Sequence, residues 1–269
     1  MQPFFDSWEP FVADVRAAAH VLFLSDYDGT LTPIVSRPEE AILPPAVREK
    51  LAALAAKPAF SVGIISGRAL NELRGLVGIN GIYYAGNHGL EIEGPGLKFI
   101  SPGAEAAQAL IRELNGQLSA SLGGITGVIV EDKGLSLSVH YRLVREGEED
   151  KVTDIFRQVT SPYLGAGKIR VTSGKKVWEV RPPVDWHKGK AVGTINDKIK
   201  LLLRVGQLLT IYLGDDNTDE DAFRVLHRQQ GWGILVGGDN PASSAGYFLD
   251  STSEVEAFLG RLLELATGG

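Results

Sequence analysis

A run of apolar residues that passes directly into two aspartates, Val21-Leu22-Phe23-Leu24-Ser25-Asp26-Tyr27-Asp28-Gly29-Thr30, constrains the fold more than any other stretch of this chain. Such a continuous apolar run is typical of a strand that is buried on both faces of a parallel sheet. Open parallel sheets bind ligands beyond the carboxyl ends of their strands, which is where Asp26 and Asp28 fall. Two carboxylates this close in a water-poor crevice repel each other and require a cation or a shared proton. An ordinary turn after a strand is the alternative, because Asp and Gly are common in turns.

Strand and helix patterns alternate on both sides of this stretch. Apolar spacing predicts helices over 8–20, after Pro44-Pro45, over 186–203 and over 253–265, and apolar runs predict strands over 60–65, 82–85, 207–213 and 233–236. Strands that alternate with helices indicate βαβ units and a parallel sheet. We therefore expect an α/β fold with a Rossmann-like core.

The middle of the chain has a different pattern. A predicted helix ends near Ser121, and a second one covers 148–159. Residues 127–131, 135–142, 168–172 and 176–181 alternate as antiparallel strands do, until Pro182-Pro183 ends the segment. These patterns predict a smaller α+β domain over 102–182, inserted between core segments 1–101 and 183–269.

Composition narrows the possible functions. The 269 residues are 44% hydrophobic and 22% charged, as is ordinary for a globular domain, and the net charge of −6 argues against a nucleic-acid partner. The absence of cysteine excludes disulfides, thiolate metal sites and thiol catalysis. We expect no membrane association, since the apolar stretch 201–213 is short and is broken by Arg204 and Gln207. The first residues have no signal-peptide pattern, so we expect a cytoplasmic protein, and we expect it to be a monomer.

Polar residues follow four of the predicted core strands. They are Asp26 and Asp28, Ser66-Gly67-Arg68, Asn87-His88, and Asp215 with Asp216 and Asp219. A parallel sheet brings such loops to one edge, where carboxylates from the first and last loops would suit Mg²⁺. Three of these loops also have a structural alternative. Residues 215–221 suit an acidic helix N-terminus, Ser66 suits a helix N-cap, and His88, a lone histidine in a Gly-bounded loop, suits a structural role.

A phosphate-binding site also needs a basic residue. Lys188 is well placed at the start of a helix after Pro182-Pro183, and Lys190 has the same chemistry, so spacing alone does not separate them. A P-loop nucleotide enzyme is excluded, because no Gly-Lys pair in this sequence is followed by Ser or Thr.

Taken together, these motifs carry a family resemblance. Asp26-Tyr27-Asp28-Gly29-Thr30, Ser66-Gly67-Arg68, Lys188-Gly189 and Gly214-Asp215-Asp216 resemble, in order, the four motifs of haloacid dehalogenase-superfamily phosphatases. A closer similarity, to trehalose-6-phosphate phosphatases, lies in 86–91 and 213–223 and in the cap-like segments 131–133, 140–142 and 174–182. Lys188 precedes a glycine as the family lysine does, which favours it over Lys190.

The resemblance implies a Mg²⁺-dependent phosphatase that hydrolyses trehalose 6-phosphate, a step of trehalose biosynthesis, through an aspartyl-phosphate. It implies that Asp26 attacks phosphorus, that Asp28 acts as acid and then as base, and that Ser66 and Lys188 hold phosphate oxygens. The implied metal ligands are Asp26, Asp215 and the backbone carbonyl of Asp28, with Asp219 supporting the metal or orienting Lys188. The implied substrate-binding residues are Gly67, Arg68, Asn87, His88, Glu131, Lys133, His140, Arg142, Lys176 and Glu179.

Several alternatives remain open at this point. The polar residues of the insert could equally be solvent-facing charges on alternating strands. Sucrose-phosphate and mannosylglycerate-phosphate phosphatases share this core, and a phosphomutase would return the phosphoryl group to a sugar. A non-catalytic sugar-binding module would be expected to lack Asp26 or Asp28, and both are present.

Overall fold

The computed structural model describes residues 1–35, 37–174 and 176–267. The chain forms two compact units. We call Met1–Phe99 with Trp186–Gly269 the core unit and Ile100–Asp185 the insert unit. That the insert acts as a cap domain over 102–182 stays a prediction.

The strands and helices follow one another in this order. The strands are β1 (Gln2–Pro3), β2 (Val21–Ser25), β3 (Phe60–Ile65), β4 (Tyr83–Gly86), β5 (Glu91–Gly94), β6 (Leu97–Ile100), β7 (Ile129–Asp132), β8 (Leu137–His140), β9 (Arg170–Gly174), β10 (Val177–Arg181), β11 (Leu209–Gly214), β12 (Trp232–Val236) and β13 (Tyr247–Leu249). The α-helices are α1 (Trp8–Ala17), α2 (Pro45–Ala55), α3 (Leu70–Val77), α4 (Pro102–Leu122), α5 (Glu149–Gly165), α6 (Lys188–Leu203), α7 (Glu220–Gln229) and α8 (Thr252–Leu265). Short 3₁₀ helices cover Phe4–Ser7, Pro38–Glu40 and Asn87–Gly89.

A nine-stranded sheet forms the centre of the core unit, in the order β1-β13-β12-β11-β2-β3-β4-β5-β6. The first seven strands in this order, β1 to β4, pair in parallel with their neighbours, and β5 runs antiparallel to β4. The predicted parallel α/β core is confirmed. Ser25 at the end of β2 is in register with Leu213 of β11 and Ile64 of β3. The loops after these three strands therefore leave the sheet at one edge.

Both faces of this sheet are covered, as the apolar run in β2 predicts. Val21 and Phe23 belong to an apolar cluster that includes buried residues of α1, α2, α3 and α8, whereas Leu22 and Leu24 belong to a second cluster with buried residues of α6 and α7. All five residues of β2 are buried. At about 25 cal/mol per Å² of apolar surface removed from water, this burial anchors the strand that carries Asp26 at its end.

The insert unit contains a four-stranded antiparallel sheet, β7-β8-β10-β9, and helices α4 and α5. Its apolar cluster joins Leu114 and Leu118 of α4, Phe156 of α5 and Val139 and Val180 of the sheet. The antiparallel α+β character predicted for the insert is confirmed.

Some element boundaries differ from the sequence-based expectation. The hairpin of β5 and β6 adds two strands that the sequence patterns do not indicate. Helix α5 continues to Gly165 rather than ending at 159, and it contains Pro162. Of the helices within the described ranges, none combines the length and apolar character that crossing a bilayer requires.

Candidate active site

Three buried charged side chains meet at the edge of the sheet where β2 and β11 end. The Lys188 ammonium lies 2.6 Å from Asp26 Oδ1 and 2.7 Å from Asp219 Oδ1. Asp26 follows β2, Lys188 opens α6, and Asp219 precedes α7. All three side chains are almost fully removed from solvent: that of Lys188 is 2% exposed, that of Asp26 7% and that of Asp219 0%. The structure therefore places Lys188, rather than Lys190, between the two aspartates.

Asp219 accepts hydrogen bonds on both of its carboxylate oxygens. Oδ1 accepts from the Lys188 ammonium and from the Tyr212 hydroxyl, at 2.7 and 2.5 Å. Oδ2 accepts from the backbone N–H groups of Asp215 and Asp216, both at 3.1 Å. A carboxylate offers about four acceptor positions, so these four donors use its capacity. Asp219 thus orients Lys188 and shapes the loop that carries Asp215.

A group of carboxylates at this edge has the chemistry of a hard-cation site. One oxygen from each of Asp26, Asp215 and Asp219 lies within 4.8 Å of the others. Since the acceptor capacity of Asp219 is already used, Asp26 and Asp215 are the members best able to bind a cation. Oxygen-only donors suit Mg²⁺, Mn²⁺ or Ca²⁺, so the residues present fit a divalent metal. The Asp28 carboxylate is outside this group, and the proposed ligand role of its backbone carbonyl stays a prediction.

Negative charge in this cluster exceeds the positive charge. Burial raises the pKa of Asp26 well above its ordinary value, although Lys188 opposes this, and burial with nearby carboxylates raises the pKa of Asp215 to about 7. Burial on its own would raise the pKa of Asp216, but the charge of Lys188 and hydrogen bonds from Thr218 outweigh it and lower this pKa below its ordinary value. Burial on its own would lower the pKa of Lys188, but the negative charges of Asp219 and Asp26 outweigh burial, so the pKa of Lys188 lies above its ordinary value. The cluster is electrostatically suited to a further cation.

Gly29 allows the first and last loops to approach closely. Its φ of +86° lies in the left-handed region, and a Cβ at this position would lie 2.1 Å from Asp215 Oδ2. The Thr30 hydroxyl donates to Asp215 Oδ1 across 3.4 Å. Thr30 and Tyr212 contact the cluster without having been predicted as site residues, although Thr30 ends the first motif and Tyr212 directly precedes the segment 213–223.

The loops after β3 and β4 are joined by backbone hydrogen bonds. The N–H of His88 donates to the carbonyl of Ser66, and the N–H of Asn87 donates to the carbonyl of Arg68, both at 2.8 Å. The hydroxyl of Ser66 accepts from the N–H of Arg68. Ala69 precedes α3 as its N-cap residue, so the alternative that Ser66 caps this helix is wrong. Ser66 is instead a buried residue of the loop.

Asn87 and His88 have an uncommon backbone conformation. Their φ values of +51° and +57° lie in the left-handed region, and two such residues in succession are sterically unfavourable. The Asn87 amide donates to Glu91, and a Cβ on Gly67 would lie 2.8 Å from the His88 ring. The glycine therefore lets the imidazole lie against the Ser66 loop.

Arg68 contacts carboxylates. Its Nε and Nη2 donate to the two oxygens of Asp28, both at 2.7 Å, and Nη2 also donates to the Pro38 carbonyl at 2.8 Å. Nη1 pairs with Glu72, one helical turn further along the chain. The predicted role of Arg68 in substrate binding is not tested by these contacts, but they show where its donors are used.

Four of the predicted substrate-binding residues of the insert unit form a polar cluster within that unit. His140 Nε2 lies 2.8 Å from Glu131 Oε2, and the Lys133 ammonium lies 3.9 Å from Glu131 and 4.0 Å from Glu179. The Lys133 and Glu179 side chains are only 11% and 14% exposed, so these two are not solvated surface charges. Two further predicted residues differ: Lys176 pairs with Glu149 of α5, and Arg142 is exposed after β8.

Comparison of the structure with solved structures shows that its architecture is a haloacid dehalogenase-like fold. The C-terminal domain of Candida albicans trehalose-6-phosphate phosphatase matches with a TM-score of 0.78 at 24% identity, over 95% of this chain and 97% of that one. A haloacid dehalogenase-like hydrolase from Bacteroides thetaiotaomicron matches with a TM-score of 0.62 at 15% identity, over 90% and 99% of the two chains. At these identities the likeness concerns the fold.

Sequence comparison identifies the family. The family model described as trehalose-phosphatase matches residues 24–253. A probable trehalose-phosphate phosphatase 4 of Oryza sativa is 36% identical over 261 residues, covering 96% of this chain and 69% of the rice protein. A trehalose 6-phosphate phosphatase of Zea mays is 37% identical over 271 residues, covering 95% and 73%. The chain belongs to the trehalose-phosphatase family, and its predicted class, a phosphoric monoester hydrolase, is confirmed.

Proposed function

We propose that this chain hydrolyses trehalose 6-phosphate to trehalose and phosphate, with Mg²⁺ as cofactor and an aspartyl-phosphate on Asp26 as intermediate. The observation that carries the proposal is the buried Lys188 ammonium within 2.6–2.7 Å of Asp26 and Asp219, with Asp215 in the same carboxylate group. The family model and the names of the relatives supply the reaction and the substrate class.

In this mechanism Asp26 is the nucleophile. Lys188 fixes Oδ1 of its carboxylate and compensates part of its charge, and the other oxygen attacks phosphorus. The covalent step divides one difficult hydrolysis into two easier displacements. Mg²⁺, bound by Asp26 and Asp215, would lower the repulsion between the carboxylate and the anionic phosphate.

Asp28 is the proposed proton carrier. It would donate a proton to the leaving sugar oxygen in the first step and accept one from the attacking water in the second. Its side chain is 41% exposed, so a substrate oxygen and a water molecule have access to it. Ser66 and Lys188 would hold the other phosphate oxygens, whose charge persists through an in-line transition state.

The polar cluster of the insert unit is the proposed source of sugar contacts. Glu131, Lys133, His140 and Glu179 offer donors and acceptors of both kinds within one sheet, which is what several sugar hydroxyls require. Sucrose-phosphate and mannosylglycerate-phosphate phosphatases remain rivals within the class, and a phosphomutase is disfavoured by the family match. A cytoplasmic location and a monomeric state stay predictions.

The test is phosphate release from a panel of sugar phosphates, with and without Mg²⁺, for wild type and Asp26→Asn. We expect trehalose 6-phosphate to have the highest kcat/KM, EDTA to abolish turnover, and Mg²⁺ to restore it. Asp26→Asn removes the nucleophilic charge at constant volume and should be inactive. The matched control is Asp6→Asn, which changes an exposed aspartate of the 3₁₀ helix Phe4–Ser7. Turnover by Asp26→Asn near the wild-type rate would refute the assignment of the nucleophile.

A further inference from the structure

The guanidinium of Arg68 is almost fully buried, and nearly all of its N–H groups donate to protein atoms. Its side chain is 7% exposed. Four of its five N–H groups donate to protein atoms: Nε–H and one Nη2–H to Asp28, the other Nη2–H to the Pro38 carbonyl, and one Nη1–H to Glu72. A side chain in this state has little capacity left for a ligand.

The partners of the two cations of the site differ. Arg68 pairs with Asp28 and Glu72, whereas Lys188 pairs with Asp26 and Asp219. Lys188 thus contacts the proposed nucleophile, and Arg68 contacts the proposed proton carrier. The two cations of the site therefore have separate tasks.

The contact between Arg68 and Asp28 has the geometry that fixes a carboxylate. Two parallel bonds of 2.7 Å from Nε and Nη2 to the two oxygens hold the carboxylate in the plane of the guanidinium. The guanidinium itself is held from other sides by Glu72 of α3 and by the Pro38 carbonyl. Asp28 on its own would be free to rotate, since its side chain is 41% exposed.

We propose that Arg68 is a positioning residue that fixes the Asp28 carboxylate for proton transfer and does not bind the substrate phosphate. The bidentate contact uses about two of the four acceptor positions of the carboxylate, which leaves others for the leaving oxygen and the water. This inference rests on the proposed function, because it takes Asp28 as the proton carrier. It replaces the role in substrate binding that the sequence resemblance implies for Arg68.

The experiment measures kcat and KM for trehalose 6-phosphate, and the inhibition constant of inorganic phosphate, in wild type, Arg68→Gln and Arg68→Lys. A carboxylate released from its fixed orientation should lower kcat by roughly 10- to 100-fold in Arg68→Gln. KM and the inhibition constant should stay within about threefold of wild type, because no phosphate contact is lost. Arg68→Lys keeps the positive charge but lacks the planar guanidinium, so its kcat should lie between those of wild type and Arg68→Gln.

A double-variant comparison shows whether Arg68 acts through Asp28. The probe is 4-nitrophenyl phosphate, whose leaving group needs little protonation, and the measurement is the release of 4-nitrophenol in a single turnover, because the second step still needs Asp28 to activate water. Arg68→Gln combined with Asp28→Ala should be no slower than Asp28→Ala alone. The matched control is Arg74→Gln, which removes a half-exposed arginine that pairs with Glu93 and should leave kcat unchanged.

Three outcomes are decisive. A tenfold or larger rise in the inhibition constant of phosphate in either Arg68 variant would make Arg68 a phosphate ligand and overturn the inference. Multiplicative losses in the double variant would overturn it as well. If Arg68→Gln does not fold, the inhibition constant in Arg68→Lys decides alone. An Asp28→Ala variant with full activity on trehalose 6-phosphate would instead refute the proton-carrier role in the proposed function.

Discussion

Replacing Lys188 with methionine tests the buried ion cluster at its centre. The change keeps a long unbranched side chain but removes the positive charge between Asp26 and Asp219. Both carboxylates are buried, and the two ion pairs are 2.6 and 2.7 Å long. Removing one partner of a buried ion pair leaves an uncompensated charge and costs about 3–5 kcal/mol. Here one substitution leaves two such charges, so we expect a loss at the upper end of that range.

Thermal unfolding measures this loss. A cost of about 1 kcal/mol lowers Tm by roughly 2–4 °C in a chain of this size, so Lys188→Met should unfold about 10–20 °C below wild type in metal-free buffer. A bound divalent cation would replace part of the missing charge. We therefore expect Mg²⁺ to raise Tm by several degrees more in the variant than in wild type, while phosphatase activity stays lost.

Lys98→Met is the matched control. It removes a lysine of β6 whose side chain is 79% exposed, and it should change Tm by about 2 °C or less, because surface substitutions are usually within ±0.5 kcal/mol. A Tm of metal-free Lys188→Met within about 2 °C of wild type would refute the reasoning, since the ammonium would then contribute nothing to the stability of the core unit.

Three further changes test other parts of the molecule. Glu179→Ala should lower kcat/KM for trehalose 6-phosphate by roughly one to two orders of magnitude, because it removes charged hydrogen bonds of about 1.5–3 kcal/mol each. The kcat/KM for 4-nitrophenyl phosphate should be nearly unaffected. An equal fall for both substrates would exclude a role of Glu179 in sugar recognition. Gly29→Ala should raise the Mg²⁺ concentration for half-maximal activity by roughly tenfold, because its Cβ would displace the Asp215 carboxylate, and an unchanged value would argue against Asp215 as a ligand. Burial lowers the pKa of His20, whose Nε2 lies 3.0 Å from the Ser61 hydroxyl. The neutral imidazole therefore favours the folded state above pH 6.5, and this contribution to stability is lost as the pH falls below that value. The Tm advantage of wild type over His20→Gln should shrink between pH 7.5 and 5.5, and a constant difference would contradict this.

The sequence predicts correctly those strands and helices whose buried side chains produce a clear apolar pattern. The strand over 60–65 agrees residue for residue with β3, because one long apolar run between Pro58 and a polar loop has few alternatives. The hairpin of β5 and β6 could not be predicted in this way. Only Leu90 separates Glu91–Gly94 from the 3₁₀ helix Asn87–Gly89, and the pairing of β5 with β4 across that helix gives no apolar periodicity of its own.

Helix α5 shows a different limit. The predicted helix ends at 159, three residues before Pro162, yet the helix continues to Gly165. The side chain of Thr160 donates to the carbonyl of Phe156, and the apolar side of the helix packs into the core of the insert unit. Tertiary packing outweighs the cost of the proline in this case.

For the site, the sequence indicates which loops meet but not which atoms pair. A parallel sheet places the loops after β2 and β11 at one edge, and this is enough to predict Asp26 near Asp215. It is not enough to find that Arg68 binds Asp28 across 40 positions of the chain, or that Lys188 binds Asp26 across 162. Such pairings depend on side-chain directions that only the folded backbone determines.

The charge balance of the site connects stability with catalysis. Asp26, Asp215 and Asp219 bring three carboxylates together around one ammonium, and burial raises the pKa of each of them. An excess of buried negative charge destabilises the folded core unit, and it also repels an anionic phosphate. Both costs would fall if a cation bound between Asp26 and Asp215. The same residues that make the metal-free protein less stable are therefore those through which a divalent cation would prepare the site for an anionic substrate.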